Sequence, residues 1–386
     1  MSVRRLADIP GFNIDRVAAA AGDDPNVLRL ENLDTDIPPP ASAIAATRDA
    51  LPTDEANSWL PFTGRDDLKT EVGRFIARRG GPAYDPAAEI VITCGEGDAM
   101  LDSLLSITDP GDEVVLTDPT YAGMLNRVRL AGAVPRLAPL HVSDGSWRLQ
   151  PEALRSAVGD RTRAVFIHNA AFPTGLVHTQ PEWDAIAEVC RERDIWLLYW
   201  AGFEGVLFDG RTVIHPASMP GMRERTVIVG AVTLEQRMIA WRIGWIVAPA
   251  ELMADLSKVH IYNGLVSSGF GQIGAVAALR EPDADLATAN REWQRRRDAM
   301  VEQLAGLPLV RADGAWSMLL DVAELGLDCV DVSRALLAQK VAATPMRGWG
   351  GAVADRHVRF VFSNEPVERL AVLGERVRKA LDSLSG

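Results

Sequence analysis

The sequence predicts an α/β fold in which helices cover both faces of a mostly parallel sheet. From about residue 64 onward, short apolar runs rich in β-branched residues alternate with longer helical patterns, which is typical of βαβ units. Nearly all of the short runs are apolar on both faces, as strands in the middle of a covered sheet are. Seven runs are predicted as strands: 89–94, 112–118, 133–139, 163–168, 195–200, 225–232 and 241–248.

The pattern changes after about residue 280. A long charged helix is predicted near 284–306, and it is followed by shorter strand and helix patterns and by a final amphipathic helix from Pro366. This mixture indicates a second, smaller α+β domain. The predicted divisions are an N-terminal arm at 1–40, a large α/β domain at 41–280 and a small C-terminal α+β domain at 281–386.

The composition excludes several classes of function. Forty Lys and Arg residues against 52 Asp and Glu residues give a net charge of −12, so the surface repels nucleic acid and anionic lipid. No apolar run of about 18 residues is present, and three scattered cysteines fit neither a disulfide framework nor a zinc site. We therefore expect a cytoplasmic protein that binds no nucleic acid, no membrane and no metal.

Five segments then occur in a recognisable order. They are DPGDEVVLTDPTYAG (109–123), NAAFPTG (169–175), GFEGVLFDG (202–210), AWRIGWIVAP (240–249) and HVRFVFSNEPVERL (357–370). Together they resemble fold-type I, pyridoxal-phosphate-dependent aminotransferases of the class I/II branch, and the resemblance covers almost the whole chain. It implies an aminotransferase-like large domain with a mostly parallel seven-stranded sheet, the smaller C-terminal domain, and a homodimer.

The resemblance assigns roles to three retained residues. Arg359 falls on the arginine that binds the substrate α-carboxylate in that family. Arg242 matches the arginine that contacts the cofactor phosphate, and Tyr121 matches the aromatic residue that stacks on the pyridine ring. An amino-acid or keto-acid ligand is therefore expected.

Five other positions depart from the family pattern. Leu234 lies eight residues before Arg242, where the family has its Schiff-base lysine, and a leucine cannot form an imine. Trp200 and Phe203 replace the carboxylate and the tyrosine near the pyridine ring, and Phe172 replaces the asparagine. Glu96 stands where the family offers a small hydroxyl or amide to the phosphate, and a carboxylate there repels a phosphate dianion. These departures predict a protein without a cofactor.

The former cofactor cavity is predicted to be rebuilt as an aromatic box. Its expected members are Trp200, Phe172, Phe203, Tyr121 and Leu234, with Trp59 at the border. Bulky side chains could simply fill the vacated volume, because an empty apolar cavity destabilises the fold. Alternatively, aromatic walls beside arginines form a pocket for a flat ligand that carries a carboxylate.

Glu96 and His168 are the candidate acid–base residues. Glu96 could titrate near neutrality in apolar surroundings, or it could only complement a helix dipole. His168 ends a predicted strand beside the expected site and could instead be a buried structural histidine. Arg359 could bind substrate or pair with Asp36 or Glu96, and Arg242 could bind a second carboxylate or pair with Glu96.

These residues predict a PLP-independent enzyme of specialised metabolism. It would bind a tryptophan-like amino acid and condense and cyclise it with a carbonyl compound in a Pictet–Spengler type of reaction. Its partners would be the small-molecule amino acid and carbonyl substrates. One alternative is a non-catalytic ligand-binding or partner subunit, and another is a PLP-dependent aminotransferase that holds its cofactor non-covalently.

Overall fold

The computed structural model describes residues 3, 6–11, 13–281 and 283–384. The strands are β1 (Leu28–Arg29), β2 (Ile90–Thr93), β3 (Glu113–Asp118), β4 (Val134–Ser143), β5 (Ser146–Leu149), β6 (Thr162–His168), β7 (Trp196–Trp200), β8 (Thr226–Ala231), β9 (Gly244–Val247), β10 (Leu309–Val310), β11 (Ser317–Asp321), β12 (Val341–Ala342), β13 (Thr344–Pro345) and β14 (His357–Val361). The helices are α1 (Asn13–Ala21), α2 (Ala41–Ala50), α3 (Asp54–Asn57), α4 (Asp66–Arg78), α5 (Glu96–Ile107), α6 (Ala122–Leu130), α7 (Pro151–Ala157), α8 (Gln180–Glu192), α9 (Ala250–Asn263), α10 (Gly269–Arg280), α11 (Asp283–Gln303), α12 (Cys329–Ala338), α13 (Val367–Leu370) and α14 (Leu373–Asp382).

The large sheet has the strand order β2-β9-β8-β7-β6-β3-β4-β5. The run from β8 through β7, β6 and β3 to β4 is parallel, whereas β9 is antiparallel to both of its neighbours. The central strands β6, β7 and β8 are almost entirely buried because helices cover both faces. The predicted mostly parallel α/β sheet is confirmed.

The sheet has an eighth strand beyond the seven that the sequence predicts. β4 continues into an antiparallel hairpin with β5, in which Leu140 pairs with Leu149. The turn residues Asp144 and Gly145 both have positive φ, at 52° and 74°, as a type I′ hairpin turn requires. β5 buries Trp147 and Leu149, but its four residues are too short to show a clear periodic pattern.

A smaller antiparallel sheet follows, with the order β10-β11-β14-β13. β14 lies at its centre between β11 and β13, and this register places Arg359 opposite both Leu319 and Thr344. The short β1 pairs in parallel with β12, so the chain before the large sheet packs on this C-terminal part. The predicted smaller C-terminal domain is confirmed.

Local capping explains where two of the helices begin. The hydroxyl of Thr179 and the carboxylate of Glu182 form a capping box at the start of α8. The carboxylate of Asp328 accepts hydrogen bonds from two backbone N–H groups at the start of α12. Across the described ranges, every helix is too short or too polar to cross a bilayer.

Candidate functional site

Two neighbouring parallel strands end in an aromatic stack. β6 ends at His168 and β7 ends at Trp200, and the two residues are paired in the sheet register. The imidazole lies on the indole with ring centroids 3.5 Å apart and planes 22° apart. Ligands of open α/β sheets bind at the carboxyl ends of the strands, so this edge carries the candidate site.

Further rings close around the stack and form an aromatic cluster. The centroid of Tyr121, at the start of α6, lies 5.2 Å from that of Trp200 and 5.9 Å from that of Phe172. The ring of Trp349 lies edge-on to Phe172 at 5.6 Å. The aromatic cluster consists of Tyr121, His168, Phe172, Trp200, Phe203 and Trp349. The structure thus brings together the four rings that the sequence predicts as a box.

Arg359 lies against two rings of this cluster. Its Cζ is 4.8 Å from the ring centroid of Phe172 and 4.5 Å from that of Trp349, which are cation–π distances. Its Nη2 donates to the carbonyl oxygen of Glu31 and, at 3.1 Å, to Oγ1 of Thr344. Within the part of the chain that the structure describes, the Nε and Nη1 donors of Arg359 have no hydrogen-bond partner, and the side chain is fully buried.

The alternative that Arg359 pairs with Asp36 or Glu96 does not hold in the structure. Asp36 instead binds Arg296, with Nη1 to Oδ1 at 2.7 Å. Burial without a paired acid lowers the pKa of Arg359 to about 9, although the charges of Glu31 and Tyr121 oppose this shift. The guanidinium is therefore a buried cation that is only partly satisfied by the protein.

Glu96 begins α5 and faces the aromatic cluster. Its Oε2 accepts a hydrogen bond from Nε1 of Trp200 at 3.1 Å. Burial raises the pKa of Glu96, while the hydrogen bond from Trp200 and the charges of Arg242 and Arg127 act in the opposite direction. The carboxylate is thus held by an indole rather than by an arginine.

His168 is held in a fixed orientation. Its Nδ1 accepts the backbone N–H of Phe172 at 2.9 Å, which places the proton of the neutral ring on Nε2. Burial lowers the pKa of His168 well below the ordinary histidine range. Among the described residues, Nε2 has no acceptor, so the ring is a neutral donor at physiological pH.

Arg242 and Trp59 lie outside the aromatic cluster. Arg242 is exposed at the start of β9, with Nη1 donating to the carbonyl of Ile239 at 2.9 Å, and it lies against Gly95 at the start of α5. Trp59 is 73% exposed and contacts Phe62 edge-on. The structure therefore places Arg242 near Glu96, as one alternative expected, but the prediction that Trp59 borders the site is wrong.

One group of side chains has the composition of a metal site. Asp98, Asp102 and His260 lie together between α5 and α9. However, His260 Nδ1 lies 3.0 Å from Asp102 Oδ2, and Asn263 donates to both carboxylates at 2.8 and 2.9 Å. These hydrogen bonds use Nδ1 of His260 and oxygens of both carboxylates, so the group joins the two helices.

Sequence reasoning missed Glu31 as a member of the site. Glu31 is fully buried, its carbonyl accepts from Arg359, and its Oε1 accepts from Arg29 Nε at 2.7 Å. The local sequence signal for burial of Glu31 is its place between the apolar residues Leu30 and Leu33. Its contact with Arg359 depends on the β1–β12 pairing, which the sequence alone does not reveal.

The whole chain is similar to known aminotransferases. The pattern of the family described as aminotransferase class I and II matches residues 26–377. The arginine–pyruvate transaminase of Pseudomonas aeruginosa is 30% identical over 358 residues, which are 91% of this chain and 90% of that protein. The solved structure of N-succinyldiaminopimelate aminotransferase from Mycobacterium tuberculosis has a TM-score of 0.90 at 28% identity, covering 99% of this chain and all of that one. That of Thermus thermophilus aspartate aminotransferase with maleate has a TM-score of 0.87 at 26% identity, covering all of this chain and 99% of that one.

The residues at the strand ends do not fit pyridoxal phosphate, the cofactor that the family resemblance implies. Leu234, at the lysine position, is 2% exposed. Its Cδ1 and Nε1 of Trp200 both pack closely against Gly202 and fill the space beside that residue. The indole of Trp200 fills the end of β7, and the carboxylate of Glu96 faces the phosphate end. The lysines lie elsewhere, each paired with an acid: Lys69 with Asp66, Lys258 with Asp255, Lys340 with Asp24 and Lys379 with Glu375. These residues would not hold this cofactor in the way that the family resemblance implies.

The relatives nevertheless correct the predicted function. Those that cover about nine tenths of the chain are named for amino transfer, and this finding overturns the prediction of a PLP-independent enzyme that condenses an amino acid with a carbonyl compound. The Pictet–Spengler assignment was made from the composition of one cavity, and it is wrong against a similarity that extends from end to end. On the match over residues 26–377, this chain belongs to the class I and II aminotransferase family.

Proposed function

We propose that this protein binds an amino acid or a 2-oxo acid by its carboxylate at Arg359. Such binding is the substrate-recognition part of the amino transfer for which its relatives are named. The observation that carries the proposal is a fully buried guanidinium with two donors that lack partners among the described residues. Each buried donor without an acceptor costs about 1–3 kcal/mol, and a carboxylate removes that cost.

The surroundings of Arg359 favour an anion over a neutral ligand. Phe172 and Trp349 lie against the guanidinium of the buried Arg359 and help to keep water from it, so a charge-assisted hydrogen bond is strengthened there. Burial also lowers the pKa of Arg359, because the guanidinium is kept from water and the folded protein provides no full counter-charge. A bound carboxylate would supply it.

Calorimetric titration with pyruvate and with L-alanine tests the proposal. We expect the Arg359→Lys variant to bind both at least tenfold more weakly, because an ammonium on a shorter stem does not reproduce the planar donor set. Arg356→Lys is the matched control, since Arg356 is half-exposed and pairs with Asp321. Equal binding by wild-type protein and the Arg359 variant would overturn the proposal.

A second candidate is amino transfer itself, with pyridoxal phosphate held without a covalent bond. The names of the relatives favour it, whereas Leu234, Trp200 and Glu96 oppose it. The test is oxo-acid formation from L-alanine and 2-oxoglutarate with added pyridoxal phosphate. Transfer that requires the cofactor and Arg359 would support this candidate. Carboxylate binding without transfer would leave a ligand-binding member of the family.

We also propose that two copies of the chain associate, as the resemblance implies. Large apolar side chains are exposed near α3 and at the end of α9, including Trp59 at 73% and Tyr262 at 91%. Gly269, at the start of α10, packs directly on Ala56 of α3, so the segments after α3 and before α10 are close to each other. Light scattering of the wild type and of Tyr262→Asp tests this, and a monomeric wild type would overturn it.

A further inference from the structure

A cavity of about 450 Å³ lies beside the aromatic cluster, between α1, α6 and α12. Its volume is within the range of pockets that hold small molecules. Most of the side chains that form its surface are apolar, and one of them is Trp349. The other apolar lining residues are Pro10, Val17, Ala20, Ala122, Val330, Leu337 and Pro345.

The charges at the cavity are all of one sign. Arg16, Arg334 and Arg347 line it, and none of the lining residues in the described ranges is an aspartate or a glutamate. Arg334 pairs with Asp331 at 3.1 Å and Arg347 with Asp328 at 2.6 Å, and neither aspartate lines the cavity. A cationic group would enter without any counter-charge and is therefore disfavoured. Since two of the three arginines already have acidic partners and most of the lining side chains are apolar, the cavity fits an uncharged apolar group.

Trp349 is a neighbour of both this cavity and Arg359. It lines the cavity, and the centroid of its ring lies 4.5 Å from Cζ of Arg359. The backbone of Trp349 is fixed, because its N–H donates to Met346 at 2.9 Å and its carbonyl accepts from Thr120 at 2.8 Å. The cavity would join the guanidinium only if the side chain of Trp349 moved, and we take this movement as part of the inference.

We infer that this cavity holds the side chain of the acid whose carboxylate binds Arg359, and that this side chain is uncharged, apolar and about as large as an aromatic ring. The inference rests on the proposed carboxylate site and adds the class of substrate. It separates this chain from its relative named for arginine, whose side chain is cationic. Asn13 closes one end of the cavity by donating to the carbonyl of Arg347 at 2.8 Å, so α1 is part of the binding site.

The test compares three carboxylates by calorimetry on the full-length protein: propionate, 3-phenylpropionate and 4-guanidinobutanoate. We expect 3-phenylpropionate to bind at least tenfold more tightly than the other two, which corresponds to about 1.4 kcal/mol. Ala20→Trp should weaken 3-phenylpropionate at least tenfold and leave propionate unchanged, because the new indole occupies the cavity. Ala19→Trp is the matched control, since Ala19 is the adjacent exposed residue of α1 and does not line the cavity.

The outcomes separate this inference from the proposed function. Propionate binding that depends on Arg359, without a preference for the phenyl group, would overturn the cavity assignment and leave the carboxylate site intact. A preference that Ala19→Trp and Ala20→Trp reduce equally would also overturn it. Binding of none of the three acids would overturn both proposals.

Discussion

Replacing Arg359 by methionine is expected to stabilise the ligand-free protein while abolishing carboxylate binding. Both side chains have similar length, and methionine fills irregular apolar space well. Arg359 is fully buried, and two of its donors have no partner among the described residues. Replacing a buried, incompletely compensated charge by an apolar side chain of similar volume is often stabilising.

The magnitude follows from the burial of the charge. Burial lowers the pKa of Arg359 from the ordinary arginine range to about 9, and at roughly 1.4 kcal/mol per pKa unit this corresponds to a cost of about 5 kcal/mol. Methionine loses two hydrogen bonds, to Glu31 and Thr344, worth about 1 kcal/mol each. It also loses cation–π contacts with two rings, at about 0.5–1 kcal/mol each. The expected net gain is about 1–2 kcal/mol.

Urea denaturation at pH 7.5, in a buffer free of carboxylates, measures this gain. Arg297→Met is the matched contrast, because Arg297 is equally buried but binds Asp209, with Nη2 to Oδ1 at 2.9 Å. That variant loses the hydrogen bonds of Arg297 to Asp209 and to the carbonyl of Ala312, while Asp209 keeps Arg311 as a partner, so it should lose about 1–3 kcal/mol. If Arg359→Met is as destabilised as Arg297→Met, the guanidinium is satisfied in the protein, and the reasoning is refuted.

The advantage of Arg359→Met should also depend on pH. Above pH 9 the folded wild type releases the proton of Arg359 while the unfolded chain keeps it, so wild-type stability rises with pH in that range. The difference between the two proteins should therefore narrow between pH 8 and pH 10. A difference that stays constant over this range would show that the cost does not come from the charge.

Three further results are expected. Leu234→Lys should cost several kcal/mol of stability in urea denaturation, because it buries an ammonium at a 2% exposed position. Leu234→Met is the control and should cost less than about 1.5 kcal/mol. Equal losses of stability in the two variants would contradict this expectation. Burial raises the pKa of Glu204 to about 8, so the folded protein keeps a proton that the unfolded chain has lost, and wild-type stability should fall between pH 6.5 and pH 8. Glu204→Gln should flatten that fall. Parallel stability curves for the two proteins would exclude Glu204 as its cause. Trp349→Phe should increase the association rate of 3-phenylpropionate in stopped-flow fluorescence, because the smaller phenyl ring leaves less bulk between the cavity and Arg359. An unchanged rate would argue against movement of this ring.

The architecture was predictable because its central strands are buried on both faces. β6, β7 and β8 appear in the sequence as unbroken apolar runs, and the structure places them side by side in the sheet. β5 was not predicted, since four residues give no periodicity. Its turn, Asp144-Gly145, was the available signal.

The rings of the site were predictable in their proximity but not in their contacts. The family spacing placed Tyr121, Phe172 and Trp200 at one edge, and in the structure the ring of Tyr121 lies 5.9 Å from that of Phe172 and 5.2 Å from that of Trp200. Whether Arg359 is paired could not be predicted, because the candidate acid Asp36 lies beside Arg296 instead. The reaction was predicted wrongly because the side chains of one cavity carry less information than similarity along the chain.

The departures from the family pattern at this site form one contact network. Trp200 donates to Glu96, stacks on His168 and meets Leu234 above Gly202. If Trp200 were changed alone, Glu96 would lose its hydrogen-bond donor in a partly buried position, and His168 would lose its stacking partner. Changing Glu96 alone would leave the indole N–H without an acceptor. The effects of these substitutions on stability should therefore be strongly non-additive. A lysine introduced at position 234 alone would change one member of the network, while Trp200 and Glu96 would still fill the same space.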